Sequence, residues 1–334
     1  MYHDNYVDNV CDGNLKNLAI MWAPILYQYV SFESYDKIKK DLLAPVNFTC
    51  YPEFGSNDNC WNTKSVRERY GNVAIEHLTP VAYYSIAITK THYFILYAFY
   101  HADDDNHPND LEGCLLIIKK NDIRPQLIGM ITVSHYDFVP YFFDNRTKIK
   151  QALFWQSEMK GLYETEKNGD NVLIQQTNGK HALYGLSGDL SLLDYLKRKL
   201  KTASSDLGTV VYYPSTKAER YDLSYLKQFG ETPHYPTQYY ELVDILDSQN
   251  GLFDRYLDAK RHGGNQTFTE EGSFHNSENP HILANGPWVW EPKEIFDTID
   301  KGAMWKDPAK LALTIFDLDE NNFSTSYDKT MDMH

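Results

Sequence analysis

The sequence predicts a mainly β fold: an antiparallel β-sandwich core with α-helices added in the C-terminal half, α+β overall. Three observations carry that expectation. Short runs rich in Tyr, Phe, Ile and Val recur from residue 81 to residue 157 between charged or turn-forming stretches. Tyrosine and phenylalanine are abundant, 26 and 16 of 334 residues, which suits pleated and half-buried surfaces. Past residue 190 the apolar spacing turns helical, with Leu192, Leu193, Leu196 and Leu200 on one face. The chain is read as a single domain over 1–334, with a β-sandwich core at 70–190 and helical additions packed on it over 191–334.

The elements follow in order. Residues 81–89 and 92–100 read as a hairpin across Lys90-Thr91, a turn without the Gly or Asn that tight primed turns favour. Residues 111–119 form a third strand with Asp110 and Glu112 at its entrance. Further strands are expected at 127–133, 137–143 and 152–157, a spacing that suggests two packed sheets. Helices are expected at 190–200, where Asp189 can cap the start, at 237–260 with a break at Asn250-Gly251, and at 307–316. The Gly-rich stretch at 263–272 reads as a loop or local boundary, and no internal repeat is visible.

Chemistry concentrates between the second and third strands. His101-Ala-Asp-Asp-Asp-Asn-His107-Pro-Asn-Asp110-Leu-Glu112 places two imidazoles and five carboxylates in twelve residues. Period-two geometry puts Asp110 and Glu112 on one strand face, about 7 Å apart, with Leu111 facing the apolar side. His107, three residues before Asp110, reaches the same point. Clustered carboxylates repel, and a divalent cation cancels that repulsion inside a fold. Oxygen-dominated ligation with one imidazole suits Ca or Mg, and also Mn, better than Zn. The alternative is an acidic turn whose charges point into water.

This region resembles a known family. Tyr97-Ala-Phe-Tyr100, Asp104 and Asn106-His107-Pro108-Asn109-Asp110-Leu111-Glu112 are similar to the strand, acidic loop and GHRHDWE heptapeptide of the necrosis-inducing (NPP1-like) cytolysins. They also resemble the NHxxDWE motif of the fungal vacuolar-protein-sorting family that shares that fold. In the cytolysins an upstream Asp and the first His, the Asp and the Glu of the heptapeptide surround a divalent cation. By position the resemblance implies Asp104, His107, Asp110 and Glu112 as metal ligands. Val172 to Tyr184, with His181-Ala-Leu-Tyr184, resembles a later strand of these families and makes His181 a further candidate. Trp22-Ala-Pro-Ile-Leu-Tyr27 and Gly286-Pro-Trp-Val-Trp290 echo the vacuolar-sorting group more weakly. The sequence departs at Leu111, Asn109 and Asn106, which replace the heptapeptide's Trp, second His and leading Gly. The resemblance covers residues 70–190, and those departures bear on cytolytic activity.

Other constellations carry less. Asp317 to Asp328 has oxygen ligands at EF-hand positions 1, 3, 5 and 12 but lacks the central Gly and the final Glu. Gly185-Leu-Ser187-Gly-Asp189 only nearly mimics a nucleophile elbow, and a helix cap explains it better. Glu76-His77 and His135 before Asp137 could each form a catalytic pair but read as structural, His77 because a His next to an acid points to the opposite side of a strand. Cys50 and Cys60 could close a loop as a disulfide, Cys114 reads as a buried thiol, and Cys11 is open. The Asn-x-Ser/Thr sites at Asn47, Asn145, Asn265 and Asn322 matter only in a secreted eukaryotic chain.

Thirty-two basic against 46 acidic residues, a net charge of −14, argue against nucleic acid and against attraction to an anionic membrane. No stretch reads as a transmembrane helix, and Met1-Tyr-His-Asp-Asn lacks signal-peptide features. The expected compartment is cytoplasmic, or secreted if a leader has been removed. The preferred function is a divalent-metal-dependent recognition module that binds a glycan or lipid headgroup, toxin-like by resemblance and with peripheral membrane contact. One alternative is a metal-dependent hydrolase on the same acidic site, with His101 or His181 as general base. The other is a metal-free structural domain.

Overall fold

The computed structural model describes residues 15–47, 66–121, 124–135, 137–143, 167–186, 207–222, 236–261, 268–270, 272–274, 284–292 and 299–332. The expectations for 152–157, 190–200, Ser187, Asp189, Cys11, Cys50, Cys60, Asn145 and Asn265 lie outside those residues, as does most of 263–272.

Helix α1 (Leu15–Trp22) leads into strand β1 (Ile25–Ser31), and α2 (Tyr35–Asp41) and α3 (Val66–Gly71) follow. An antiparallel meander comes next: β2 (Val81–Thr89), β3 (His92–Asp103), β4 (Pro108–Lys119), β5 (Gln126–Ser134) and β6 (Asp137–Phe142). Its first five expected strands are present, with β3 and β4 longer than expected because the acidic segment itself pairs, His101 opposite Asp110 and Asp103 opposite Pro108. Strands β7 (Lys167–Asn168), β8 (Asn171–Gln176), β9 (Leu183–Gly185), β10 (Leu207–Ser215) and β11 (Thr237–Asp244) complete the middle of the chain. The C-terminal part holds α4 (Phe253–Arg261), α5 (Ala303–Lys306), α6 (Pro308–Ile315) and β12 (Tyr327–Lys329).

The sandwich expectation is corrected. Among the described residues all the strands belong to one 12-stranded sheet, in the order β6-β5-β4-β3-β2-β11-β10-β1-β8-β7, with β12 on β2 and β9 on β8. The sheet is mixed: β11 runs parallel to β2 and β10, and β8 runs parallel to β1. Its two ends approach one another, and Ser134 at the end of β5 donates a hydrogen bond to the Tyr184 hydroxyl of β9 at 2.7 Å. The result is a nearly closed, β-rich barrel with few and short helices. Closure abolishes most exposed sheet edge, a solution an open two-sheet arrangement reaches differently.

The helix expected over 237–260 is also corrected. Its first part is β11, where Gln238, Tyr240 and Leu242 are buried and Thr237 and Tyr239 are exposed, a period of two. Asn250-Gly251 lies ahead of α4 and does not interrupt a helix. The C-terminal half therefore supplies β10 and β11 to the middle of the sheet as well as helices around it. Helix α6 does match the expected 307–316, with Asp307 capping it through the Lys310 amide.

Tyrosines build much of the core. Among the described residues, seven of the eleven largest fully buried side chains are Tyr83, Tyr97, Tyr100, Tyr141, Tyr212, Tyr221 and Tyr240. Each buried hydroxyl needs a partner. Val46 N donates to Tyr83, while Tyr97 donates to Ala19 O and Tyr240 to Pro24 O, so the rings pin α1 and the backbone at Pro24 and Val46 to the sheet.

Candidate metal centre at the barrel seam

The site is built where four segments meet: the β3–β4 loop, the β5–β6 turn at His135, the β8–β9 turn at 177–182 and the C-terminus of α2. The loop is pinned on both sides. Arg67 of α3 bonds Asp103 through Nε at 2.7 Å, and Lys40 of α2 pairs with Asp105 at 3.1 Å. The Asp105 amide donates to Gly179 O at 2.7 Å, tying the acidic loop to the β8–β9 turn. Gly179 has φ +70°, and a Cβ there would lie 2.3 Å from the Asp105 carboxylate, so the turn requires glycine.

Those contacts sort the five carboxylates. Asp103 and Asp105 face cations at the rim, whereas Asp104, Asp110 and Glu112 are buried, at 2%, 5% and 3% exposure. Leu111, between the last two, packs in the core as the alternation requires. Asp104, Asp110 and His181 each offer a ligand atom, all within 4.8 Å of one another. His181 Nδ1 lies 2.9 Å from Asp110 Oδ2. His107 Nδ1 bonds the Asn109 carbonyl at 2.9 Å and turns Nε2 toward Asp104 Oδ1 at 3.9 Å. A backbone acceptor on one ring nitrogen is how ligating histidines are commonly oriented. Glu112 Oε1 accepts from the His135 amide at 2.9 Å, but its buried Oε2 has no hydrogen-bond partner.

The electrostatics follow from burial. Glu112 is pushed well above the usual carboxylate range by burial, then by the charges of Asp110 and Asp104. Asp104 is raised by burial and by Asp110. Burial also pushes Asp110 up, but its hydrogen bond to His181 and the imidazole charges outweigh that and lower it. Burial opposes charge on His181, yet Asp110 and Asp41 on either side raise it to about 10. His101 goes the other way, held well below its ordinary value by burial and by His181. Its ring stacks on His181 with centroids 3.8 Å apart, and its Nε2 meets Gln176 Oε1 at 3.0 Å.

Backbone strain gathers at the same place. Among the described residues the non-glycine positions with positive φ are Asn109, His135 and His181, at 60°, 55° and 51°. One orients the His107 ring through its carbonyl, one donates to Glu112, and one presents its imidazole to Asp110. Strained backbone of this kind persists where surrounding contacts over-determine it, often at functional sites.

The expected ligand residues are therefore brought together in part. Asp104 and Asp110 share one point, His107 adjoins Asp104, and Glu112 lies one period along the strand from Asp110. His181 joins them from a turn some 70 residues away in sequence. Reasoning from sequence missed Asp41 entirely and assigned His135 to Asp137, although its amide serves Glu112. Nothing local marks Asp41, the last residue of a short helix. The donor set suits a divalent cation: buried carboxylates, an unpartnered Glu112 oxygen and imidazoles with fixed second nitrogens. Among the described residues the Asp317–Asp328 stretch gathers no such group. Asp319 instead accepts from the Asn321 amide, and Asp328 lies on β12.

No family model matches the sequence, and no curated protein does. Solved structures similar to this chain include NLPPya in complex with glucosamine, 15% identical with a TM-score of 0.22 over 32% of this chain and 47% of that one. Necrosis and Ethylene inducing Protein 2 from the causal agent of cocoa's witches' broom disease is 18% identical, with a TM-score of 0.23 over 33% and 48%. The non-toxic HaNLP3 protein is 19% identical, with a TM-score of 0.23 over 38% and 59%. The chain thus spans about half the length of these proteins. The vacuolar-protein-sorting resemblance finds no support in these comparisons.

Proposed function

We propose that this protein is a divalent-metal-dependent recognition module, in which a cation held by Asp104, His107, Asp110 and Glu112 coordinates hydroxyls of a glycan or lipid headgroup. The observation that supports it is the buried convergence of Asp104, Asp110 and His181 beside the unpartnered Glu112 oxygen. Burying three carboxylates with two imidazoles and an oxygen that finds no donor is costly in an empty fold. A bound cation offsets that cost.

Recognition is favoured over hydrolysis by the imidazoles themselves. A general base needs a nitrogen free to take a proton from water near the substrate. His101 is fully buried, with Nε2 on Gln176 and its face covered by His181. His181 is fully buried between Asp110 and Asp41. Neither faces an open cleft.

The test is thermal unfolding of chelated protein titrated with Ca, Mg, Mn and Zn. A cation that binds only the native state stabilises it by about 2.7 kcal/mol at 100 times its Kd, a shift of several degrees. Asp110→Asn and Glu112→Gln are each expected to abolish the shift. A shift retained in both variants moves the site elsewhere, and no shift with any metal ends the metal reading. Amino sugars, the ligands in the NLPPya crystals, are the first compounds to add to the loaded protein.

A further inference from the structure

We propose that Asp41 is a positioning residue of this metal centre, acting through His181; the inference rests on the metal reading above. Asp41 is the last residue of α2, far in sequence from every other member of the site, and it is 1% exposed. Its carboxylate organises three things at once. Oδ2 accepts from the Ser31 amide at 2.9 Å, fixing the end of β1. Oδ1 accepts from the Gly179 amide at 2.6 Å, fixing the turn two residues before His181. The same Oδ1 lies 3.5 Å from His181 Nε2, a buried ring nitrogen with no hydrogen-bond partner.

His181 is thereby clamped between two carboxylates, Nε2 toward Asp41 and Nδ1 toward Asp110, while His101 covers its face. Imidazoles at metal centres usually carry a carboxylate or carbonyl on the nitrogen that faces away from the ion, and losing it weakens metal binding about 10- to 100-fold. Asp41 occupies that place on His181, which offers a donor beside Asp104 and Asp110 and so joins the four ligands named above. Through Gly179, whose carbonyl takes the Asp105 amide, it also sets the position of the loop that carries Asp104. A purely structural Asp41 would serve only the Ser31 and Gly179 amides, of which an Asn, with its single acceptor oxygen, would keep one.

The test is calorimetric binding of Ca, Mg and Mn to chelated full-length protein, for the wild type, Asp41→Asn, His181→Asn and the double variant. Asp41→Asn keeps an oxygen for a backbone amide, so its metal-free melting temperature should stay within a few degrees. Its cation affinity should fall about 10- to 100-fold. In the double variant the loss should equal that of His181→Asn alone, the non-additivity expected of residues that act as one unit. Wild-type affinity in Asp41→Asn, or losses that simply add, overturns the role of Asp41 and leaves the metal reading standing. No binding of any of the three cations by the wild type overturns both. If Asp41→Asn does not fold, Asp41→Glu in the same calorimetry decides: a cation affinity at least about 10-fold below the wild type is expected, because the longer carboxylate cannot keep both backbone amides and its place beside His181, and wild-type affinity overturns the proposal.

Discussion

Single residues show where local sequence stops being informative. The five carboxylates of the acidic segment look alike in sequence, yet Asp103 and Asp105 turn to Arg67 and Lys40 while Asp104, Asp110 and Glu112 turn inward. The Asp110/Glu112 alternation was legible, because period two is a property of the strand itself. The sorting of the other three was not, because the cations that hold Asp103 and Asp105 at the rim come from α3 and α2. His92, at the opposite end of β3, makes a separate prediction. It is 2% exposed, its ring lies 4.2 Å from that of Phe323, and burial holds its pKa down at about 4 against 6.5 unperturbed. The unfolded chain therefore binds the proton first as pH falls, so stability is full above 6.5 and is lost between 6.5 and 4. Up to about 3 kcal/mol is at stake by the usual conversion of a pKa difference. His92→Phe keeps the ring and removes the titration. The stability gap between wild type and variant should shift in the variant's favour by that amount from pH 7 to pH 4 in urea melts. A pH-independent gap would refute the assignment.

At the scale of elements, the β2–β3–β4 meander was legible because its runs are long, β-branched and aromatic, and because neighbouring strands pair across short turns. The 237–244 segment misread as helix because Leu242 and Ile245, three apart, imitate a helical face, while pairing with β10 and β2 decides the outcome. Gly113 tests the packing of β4. A Cβ there would lie 2.2 Å from the Tyr97 carbonyl oxygen and 2.5 Å from the Trp290 ring. Both neighbours are fixed, Tyr97 in β3 and Trp290 by its indole hydrogen bond to Asn285 O at 2.8 Å. Gly113→Ala should therefore destabilise the protein by about 1–3 kcal/mol, the usual range for overpacking. A lower urea midpoint with an unchanged slope would show it, and an unchanged midpoint would mean that β4 and the Trp290 loop do not pack this way.

For the whole molecule, the net charge of −14 acts as a field as well as a sum. Self-repulsion among surface carboxylates opposes compactness, and salt screens it over a Debye length of about 10 Å at 0.1 M. Chelated protein should melt a few degrees higher in ~0.15 M than in ~0.01 M sodium chloride. A melting temperature that falls with salt would mean that ion pairs such as Arg67–Asp103 outweigh the repulsion. Among the described residues no helix is long and apolar enough to cross a membrane. By itself the sequence determined the β-rich class, the meander and the residues that concentrate the chemistry, since strand propensity, period-two alternation and charge clustering are local properties. Only the tertiary structure decided that one mixed sheet nearly closes on itself and that Asp41, Glu112, His135 and His181 meet at its seam. Parallel pairings such as Leu26 with Ile174 join segments about 150 residues apart, and what selects them is burial and hydrogen-bond completion across the finished barrel.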